Sequence, residues 1–188
     1  MRLFVALDIP ESVRAALVEC SAALAKTCHT ARWVRLEGTH ITLKFIGEVP
    51  EERAEEIRAA LGEIRGFTPV ELHFAGLGFF PNAKRPRVLW AGIEAGPELA
   101  QLAAAVEDRV AKLGIEREDR EFRPHITLVR FESPKGLDAL RDAIEKLGTP
   151  DFGRTTVREF CLYRSALKRS GAEYTRVASY DFSGESVS

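Results

Sequence analysis

The 188-residue sequence predicts a fold of mixed strands and helices built as an internal duplication. Three observations predict it. The tetrapeptide His-Ile-Thr-Leu occurs twice, at His40 to Leu43 and at His125 to Leu128. Each copy sits in the same succession of strand, helix, motif strand, helix and strand, read from apolar periodicity. The offsets also agree: Leu3 precedes His40 by 37 positions and Val88 precedes His125 by 37, a period of 85 residues. That period is too long for a stacked solenoid. One domain over residues 1–188 fits better, with lobes of about 1–85 and 86–188 related by a pseudo-twofold axis. Alternating helices and strands also suit a parallel doubly wound sheet. The lack of a Gly-rich phosphate loop counts weakly against that alternative.

The elements follow in order. Arg2 to Leu7 is a strand, and Pro10 opens a helix with Val13, Leu17, Cys20 and Leu24 on one face, ending near Cys28. Arg32 to Val34 reads as an edge strand and Glu37-Gly38 as a turn. The first motif strand follows. Strict alternation there places Ile41, Leu43 and Phe45 on one face and His40, Thr42 and Lys44 on the other. A helix over 51–64 buries Ala54, Ile57, Leu61 and Ile64, and Val70 to Phe80 is a strand leading to a loop, Pro81 to Pro86. The second half runs from a strand at Val88 to Ile93 through a helix marked by Leu99, Leu102, Val106, Val110 and Leu113. A charged segment, Glu116 to Arg123, leads into the second motif strand. A helix carrying Leu137, Leu140, Ile144 and Leu147 comes next, then strands at Thr155 to Tyr163 and Glu173 to Phe182 joined by a loop at Leu167 to Gly171.

Composition narrows the function. An apolar fraction of 45% is that of a globular chain, and the formal net charge of −1 excludes a global cationic field, so any nucleic acid binds a local patch. No apolar run approaches the roughly 18 residues of a membrane span, and the amino terminus lacks the parts of a signal peptide. A cytoplasmic protein that contacts no membrane is expected. Cys20, Cys28 and Cys161 have no metal-like spacing and read as reduced thiols. Asn82 and Gln101 are the sole side-chain amides, a depletion typical of heat-adapted or GC-rich sources.

The chemistry lies in the repeat. A His and a Thr two residues later on a strand share a face, about 6–7 Å apart. Two such strands offer two imidazoles and two hydroxyls. One imidazole can act as base and the other as acid, while the Thr hydroxyls suit non-bridging phosphate oxygens. The set fits in-line attack at a phosphodiester. A single strand His is more often structural, and His29 and His73 are read that way; two in matched contexts reverse those odds. Zinc is disfavoured because neither copy has the i, i+4 spacing of a helical ligand pair and no Cys or carboxylate stands at ligand spacing. There is no Gly-x-Ser-x-Gly elbow and no Walker loop. Strict alternation turns Arg130 away from the motif face, so that either the strand twists or ends there or Arg130 makes a structural ion pair; it puts Lys44 on that face toward its rim. Phe79-Phe80 with Lys84, Arg85 and Arg87 suits stacking and steering of RNA, or is a solvated basic loop beside core aromatics. The Lys168-Arg169 loop has the same standing. Phe4 lines the cleft or packs in the core.

The doubled His-x-Thr motif, the opening MRLFVALDIP, the lead-in RWVRLEGTHITLKFIGEV, the second motif RPHITLVRF and the closing LYRSALKRSGAEYTRVASYDF resemble the two-histidine (2H) phosphoesterases. The branch they most resemble is the RNA 2′,3′-cyclic phosphodiesterases, also called 2′-5′ RNA ligases. The resemblance implies a bilobal α+β fold, with two antiparallel sheets lining a central cleft and helices outside. It implies hydrolysis of a terminal RNA 2′,3′-cyclic phosphate to a 2′-phosphate, and reversible, ATP-independent 2′-5′ joining of RNA ends. No metal or other cofactor is implied, and the protein is expected to act on RNA as a monomer. By motif match His40 is the proton donor to the departing 3′ oxygen and His125 the base that activates water. Thr42 and Thr127 hold the phosphate, and Arg130 and Phe4 are candidate substrate contacts. The residues alone do not assign the two histidine roles. A phosphodiesterase on a small cyclic nucleotide or 2′-5′ oligonucleotide, and an RNA-binding module with little catalysis, are the alternatives.

Overall fold

A computed structural model describes residues 1–169 and 171–184. The chain runs β1 (Arg2–Asp8), α1 (Glu11–Ala25), β2 (Arg32–Trp33), β3 (His40–Glu48), α2 (Glu51–Leu61), β4 (Val70–Phe80) and β5 (Val88–Ala95). It continues through α3 (Pro97–Ala111), β6 (His125–Arg130), α4 (Asp138–Leu147), β7 (Asp151–Val157), β8 (Glu159–Lys168) and β9 (Gly171–Asp181). All strand pairs are antiparallel. They form a four-stranded sheet of order β3-β1-β8-β9 and a five-stranded sheet of order β2-β6-β5-β4-β7. The fold is therefore α+β with two antiparallel sheets, and the parallel doubly wound alternative is excluded.

The two sheets share an order. From the motif strand outward, one reads β3-β1-β8-β9 and the other β6-β5-β4-β7. β4 follows the first motif in sequence yet pairs with β5 in the sheet of the second motif, while β8 and β9 return to β1 in the sheet of the first. β3 meets β6 where the sheets adjoin, α3 packs on β3 and α2, and α1 packs on β7 and α4. One face of each sheet feeds a common core that includes Leu3, Leu7, Ile41, Ile57, Phe74, Leu89, Val106, Ile126 and Phe160. Truncating one such residue to Ala costs about 2–5 kcal/mol.

The expected strand at Thr155 to Tyr163 is two strands. The extended run breaks at Arg158: residues before it pair with β4 and residues after it with β1. Apolar patterning does not report this change of partner, because Phe152 and Phe160 are buried on both sides of it. The final hairpin is also tighter than expected, with pairing that extends to Lys168 and Gly171; Ser170 lies outside the described residues.

Both motif strands carry a bulge at the same place. Val5 pairs with Lys44 but Ala6 with Thr42, leaving Leu43 as an extra residue; Leu89 pairs with Val129 but Trp90 with Thr127, leaving Leu128 extra. An extra residue inverts the alternation beyond it. Leu43 and Lys44 are buried in succession, as are Leu128 and Val129. Phe45 and Arg130 are thereby returned to the face of the His and Thr. Strict alternation misplaced three residues for this reason. Phe45 is not a core residue and is 59% exposed. Arg130 is not turned away from the motif face. Lys44 is not at the rim but 2% exposed.

Lys44 is satisfied where it lies. Its Nζ bonds Glu107 Oε1 on α3 at 2.9 Å and donates to the Glu116 carbonyl at 2.6 Å. Glu107 Oε1 also accepts from the Glu118 amide at 3.1 Å. This cluster around buried Lys44 ties the first motif strand to the segment that leads into the second. Removing one partner leaves a charge without its counter-ion. Lys44→Ala is expected to cost about 2–4 kcal/mol in urea unfolding. Lys44→Met with Glu107→Gln should recover most of that loss; equal stability of Lys44→Ala and wild type would show that the cluster contributes nothing.

Candidate active site

The motif faces of the two sheets carry the predicted residues. On β3, His40 and Thr42 are half-buried while Ile41 between them is buried; on β6, His125 and Thr127 are half-buried around buried Ile126. Across the first sheet the Cα partners of Phe45, Thr42 and His40 are Phe4, Ala6 and Asp8. Across the second, the partners of Arg130, Thr127 and His125 are Val88, Trp90 and Gly92. The two sheets match in strand order, but the side chains placed opposite the two histidines differ.

His40 is held by rings. Its imidazole lies 4.3 Å from the Tyr163 ring, 5.3 Å from Tyr174 and 5.7 Å from Phe4, centroid to centroid. Phe4 stacks on Tyr163 at 5.4 Å and 16°. Phe4, Ala6, Cys161 and Tyr163 form a small buried cluster separate from the main core. This is an apolar floor under His40, so Phe4 belongs to the motif face. The turn before His40 needs Gly38, at φ +78°, where a Cβ would also lie 3.3 Å from the Tyr174 ring. Burial lowers the His40 pKa below the ordinary 6.5 as the largest effect; Asp8 opposes this, and Arg14 and Arg176 add to it.

His125 is held by a hydrogen bond. Its Nδ1 lies 2.7 Å from the Arg123 carbonyl, which accepts a proton and cannot give one. In the neutral ring the proton therefore sits on Nδ1, and Nε2 is the free base. The Phe80 ring packs edge-on against His125 at 5.1 Å and tilts against Trp90 at 5.3 Å. The indole of Trp90 lies across Gly78, where an added Cβ would overlap its ring atoms.

Other candidates separate cleanly. Phe79 turns away to Phe131 at 6.2 Å, whereas its neighbour Phe80 reaches His125. Lys84, Arg85 and Arg87 are exposed on their loop, and Lys168 pairs with Glu173. Among the described residues the Arg130 side chain makes no hydrogen bond or ion pair, and it is exposed. His73 is structural, with Nδ1 2.9 Å from Glu94 and Nε2 3.2 Å from Asp151. His29 is exposed, and the three cysteines are free. Sequence reasoning missed Asp8, Tyr163, Tyr174 and Arg176, which gather at His40 only through strand pairing. Asp8, Glu159 and Cys161 bring metal-ligand atoms within 4.8 Å of one another. The Arg176 guanidinium already pairs with both carboxylates, so the cluster has its cation.

Two histidines with two hydroxyls on matched strands now stand beside a family match over residues 9–169. The chain belongs to the 2′-5′ RNA ligase superfamily. Among relatives, the RNA 2′,3′-cyclic phosphodiesterase of Archaeoglobus fulgidus is 37% identical over 176 residues, covering 93% of this chain and 96% of its own length. The Escherichia coli protein of the same name is 34% identical over 180 residues, covering 93% and 92%. The crystal structure of TT0787 from Thermus thermophilus matches at a TM-score of 0.78 and 36% identity, covering 98% of this chain and all of that one. The E. coli LigT structure complexed with 3′-AMP matches at 0.74 and 30% identity, covering 96% and 97%. The superfamily fold thus extends over nearly the whole chain. No helix among the described residues is long and apolar enough to cross a membrane.

The lowered His40 pKa has a consequence for stability. Between the ordinary 6.5 and the lower folded value, the unfolded chain binds a proton that the folded chain does not. His40 therefore subtracts stability as pH falls through that window. His40→Gln should gain on wild type when melting temperatures are compared at pH 7.5 and pH 5; parallel curves would contradict the burial of the imidazole.

Proposed function

We propose that the protein hydrolyses the terminal 2′,3′-cyclic phosphate of RNA to a 2′-phosphate. The observation that carries this is the matched placement of His40 with Thr42 and His125 with Thr127 on two adjoining bulged strands. The names of the relatives support the substrate class. His125, with Nδ1 bound to a carbonyl, has Nε2 available to take a proton from water as it attacks phosphorus. His40 gives a proton to the 3′ oxygen as the P–O3′ bond breaks. The product carries a 2′-phosphate and a free 3′-hydroxyl, and both histidines regain their starting charge by one proton exchange with solvent.

Thr42 and Thr127 donate to the non-bridging oxygens. Arg130, returned to this face by the bulge and exposed there, supplies the counter-charge as negative charge builds. The chemistry is assigned to side chains alone, so it needs no metal or other cofactor. A 5′-hydroxyl in place of water would join two RNA ends by a 2′-5′ bond without ATP, and the same residues would reverse that step.

Burial pushes the pKa of the His40 imidazole below its ordinary 6.5, which favours the neutral ring in the free protein. The phosphate anion of the substrate favours its charged form, so binding draws in the proton that the reaction then uses.

Turnover of a cyclic-phosphate RNA in EDTA, with a bell-shaped dependence of kcat/KM on pH, is expected. His40→Ala and His125→Ala should each lose roughly 10²–10⁴-fold in kcat while remaining folded. Full activity in either variant would refute the paired-histidine mechanism, and RNA binding without product would favour a binding module. Arg130→Gln should lower kcat/KM by roughly 10- to 100-fold, and Arg130→Lys should restore only part of it because a Lys cannot make the bidentate contact. Wild-type kinetics in Arg130→Gln would exclude the arginine from the phosphate site.

A further inference from the structure

The matched strands supply two histidines, but the reaction needs them to differ. The difference lies in what each faces across its sheet. The Cα partner of His40 is Asp8; that of His125 is Gly92. No side chain fits at Gly92, where a Cβ would stand 2.5 Å from the Ala75 carbonyl. A carboxylate therefore exists at one histidine and is excluded at the other.

Asp8 is tethered on both oxygens. Oδ1 accepts from the Tyr163 hydroxyl and Oδ2 from Arg176 Nη2. Tyr163 is 5% exposed, and its ring is the nearest of the three against His40. Arg176 reaches Glu159 at 3.7 Å and Ser179 Oγ at 3.5 Å, and its guanidinium lies 6.0 Å from the centre of the Tyr163 ring. Neither His40 ring nitrogen bonds a described residue, so its orientation depends on these rings.

We propose that Asp8, clamped by Tyr163 and Arg176, is the positioning residue for His40: it fixes the imidazole through the Tyr163 ring and supports its charged form, a device absent beside His125. This rests on the reading of His40 as the proton donor. Among the described residues, the charged and titratable groups that face His40 are Asp8 from β1, Arg14 from α1, Tyr163 from β8, and Tyr174 and Arg176 from β9. Asp8 is the sole anion among them. Arg176 sits on the far oxygen of Asp8 and tempers its field, so the pair sets the proton affinity of His40 between two extremes.

Two substitutions that break the same ion pair should move His40 in opposite directions. The readout is an NMR titration of the imidazole Cε1–H signal, assigned by its loss in His40→Gln. Asp8→Asn keeps an acceptor for Tyr163 but removes the charge, and should lower the His40 pKa. Arg176→Gln should raise it. A merely structural role would not give opposite signs. Tyr163→Phe keeps the ring and loses the tether, and should reduce kcat roughly 10-fold with KM unchanged. Shifts in the same direction, or none, overturn the proposal, as does wild-type kcat in Tyr163→Phe. Should Asp8→Asn not fold, Arg176→Gln decides alone: an upward shift supports the proposal and no shift overturns it. Opposite shifts in a protein without turnover would overturn the functional reading and leave the field of Asp8 intact. Normal turnover with an unmoved titration would overturn only this inference.

Discussion

The extra residue after each motif threonine is the constraint on which the rest of the site depends. A regular strand would set His, Thr and the residue two further on along one face. The bulges at Leu43 and Leu128 instead bury two residues in succession and turn Phe45 and Arg130 back toward the histidines. The same inversion sends Lys44 into the core, where Glu107 and the Glu116 carbonyl receive it. One irregularity, repeated 85 residues apart, thus places an exposed aromatic on the face of one histidine and an exposed arginine on the face of the other, and draws the two motif segments together underneath.

A symmetric frame carries asymmetric equipment. Motif strand, neighbour and further strands follow the same order in both sheets. His125 is fixed through Nδ1 by a backbone carbonyl, a hydrogen bond that also chooses its tautomer. His40 is fixed by aromatic packing over Phe4 and Tyr163, in a partly dry setting that lowers its pKa. A polar anchor that leaves Nε2 basic suits a group that takes a proton. A packed imidazole with a carboxylate opposite suits a group that acquires a proton when an anion arrives and then releases it.

Much of this was legible in the sequence because the signals are local. The repeated tetrapeptide, the helical periodicities and the strand character of each segment all come from neighbours within a few residues. The half-buried setting of His40, Thr42, His125 and Thr127 around buried Ile41 and Ile126 also follows from alternation. Two kinds of feature were not legible. A bulge is a property of a pair of strands, so alternation within one strand misplaced Phe45, Lys44 and Arg130. Partner choice is non-local too. The run from Asp151 to Lys168 reads as continuous β-structure, and only pairing shows that it leaves one sheet for the other at Arg158. Asp8, Tyr163 and Arg176 lie up to 168 positions apart and carry no joint signature.

In the proposed reaction the two histidines direct a proton specifically to the 3′ oxygen while water attacks phosphorus. This is tested most directly by treating an RNA that ends in a 2′,3′-cyclic phosphate with the protein in ¹⁸O-water containing EDTA, then locating the phosphate by ³¹P NMR and mass spectrometry. A single product is expected, a 2′-phosphate carrying one solvent oxygen. A 3′-phosphate, a mixture of the two, or no turnover without added metal would contradict it.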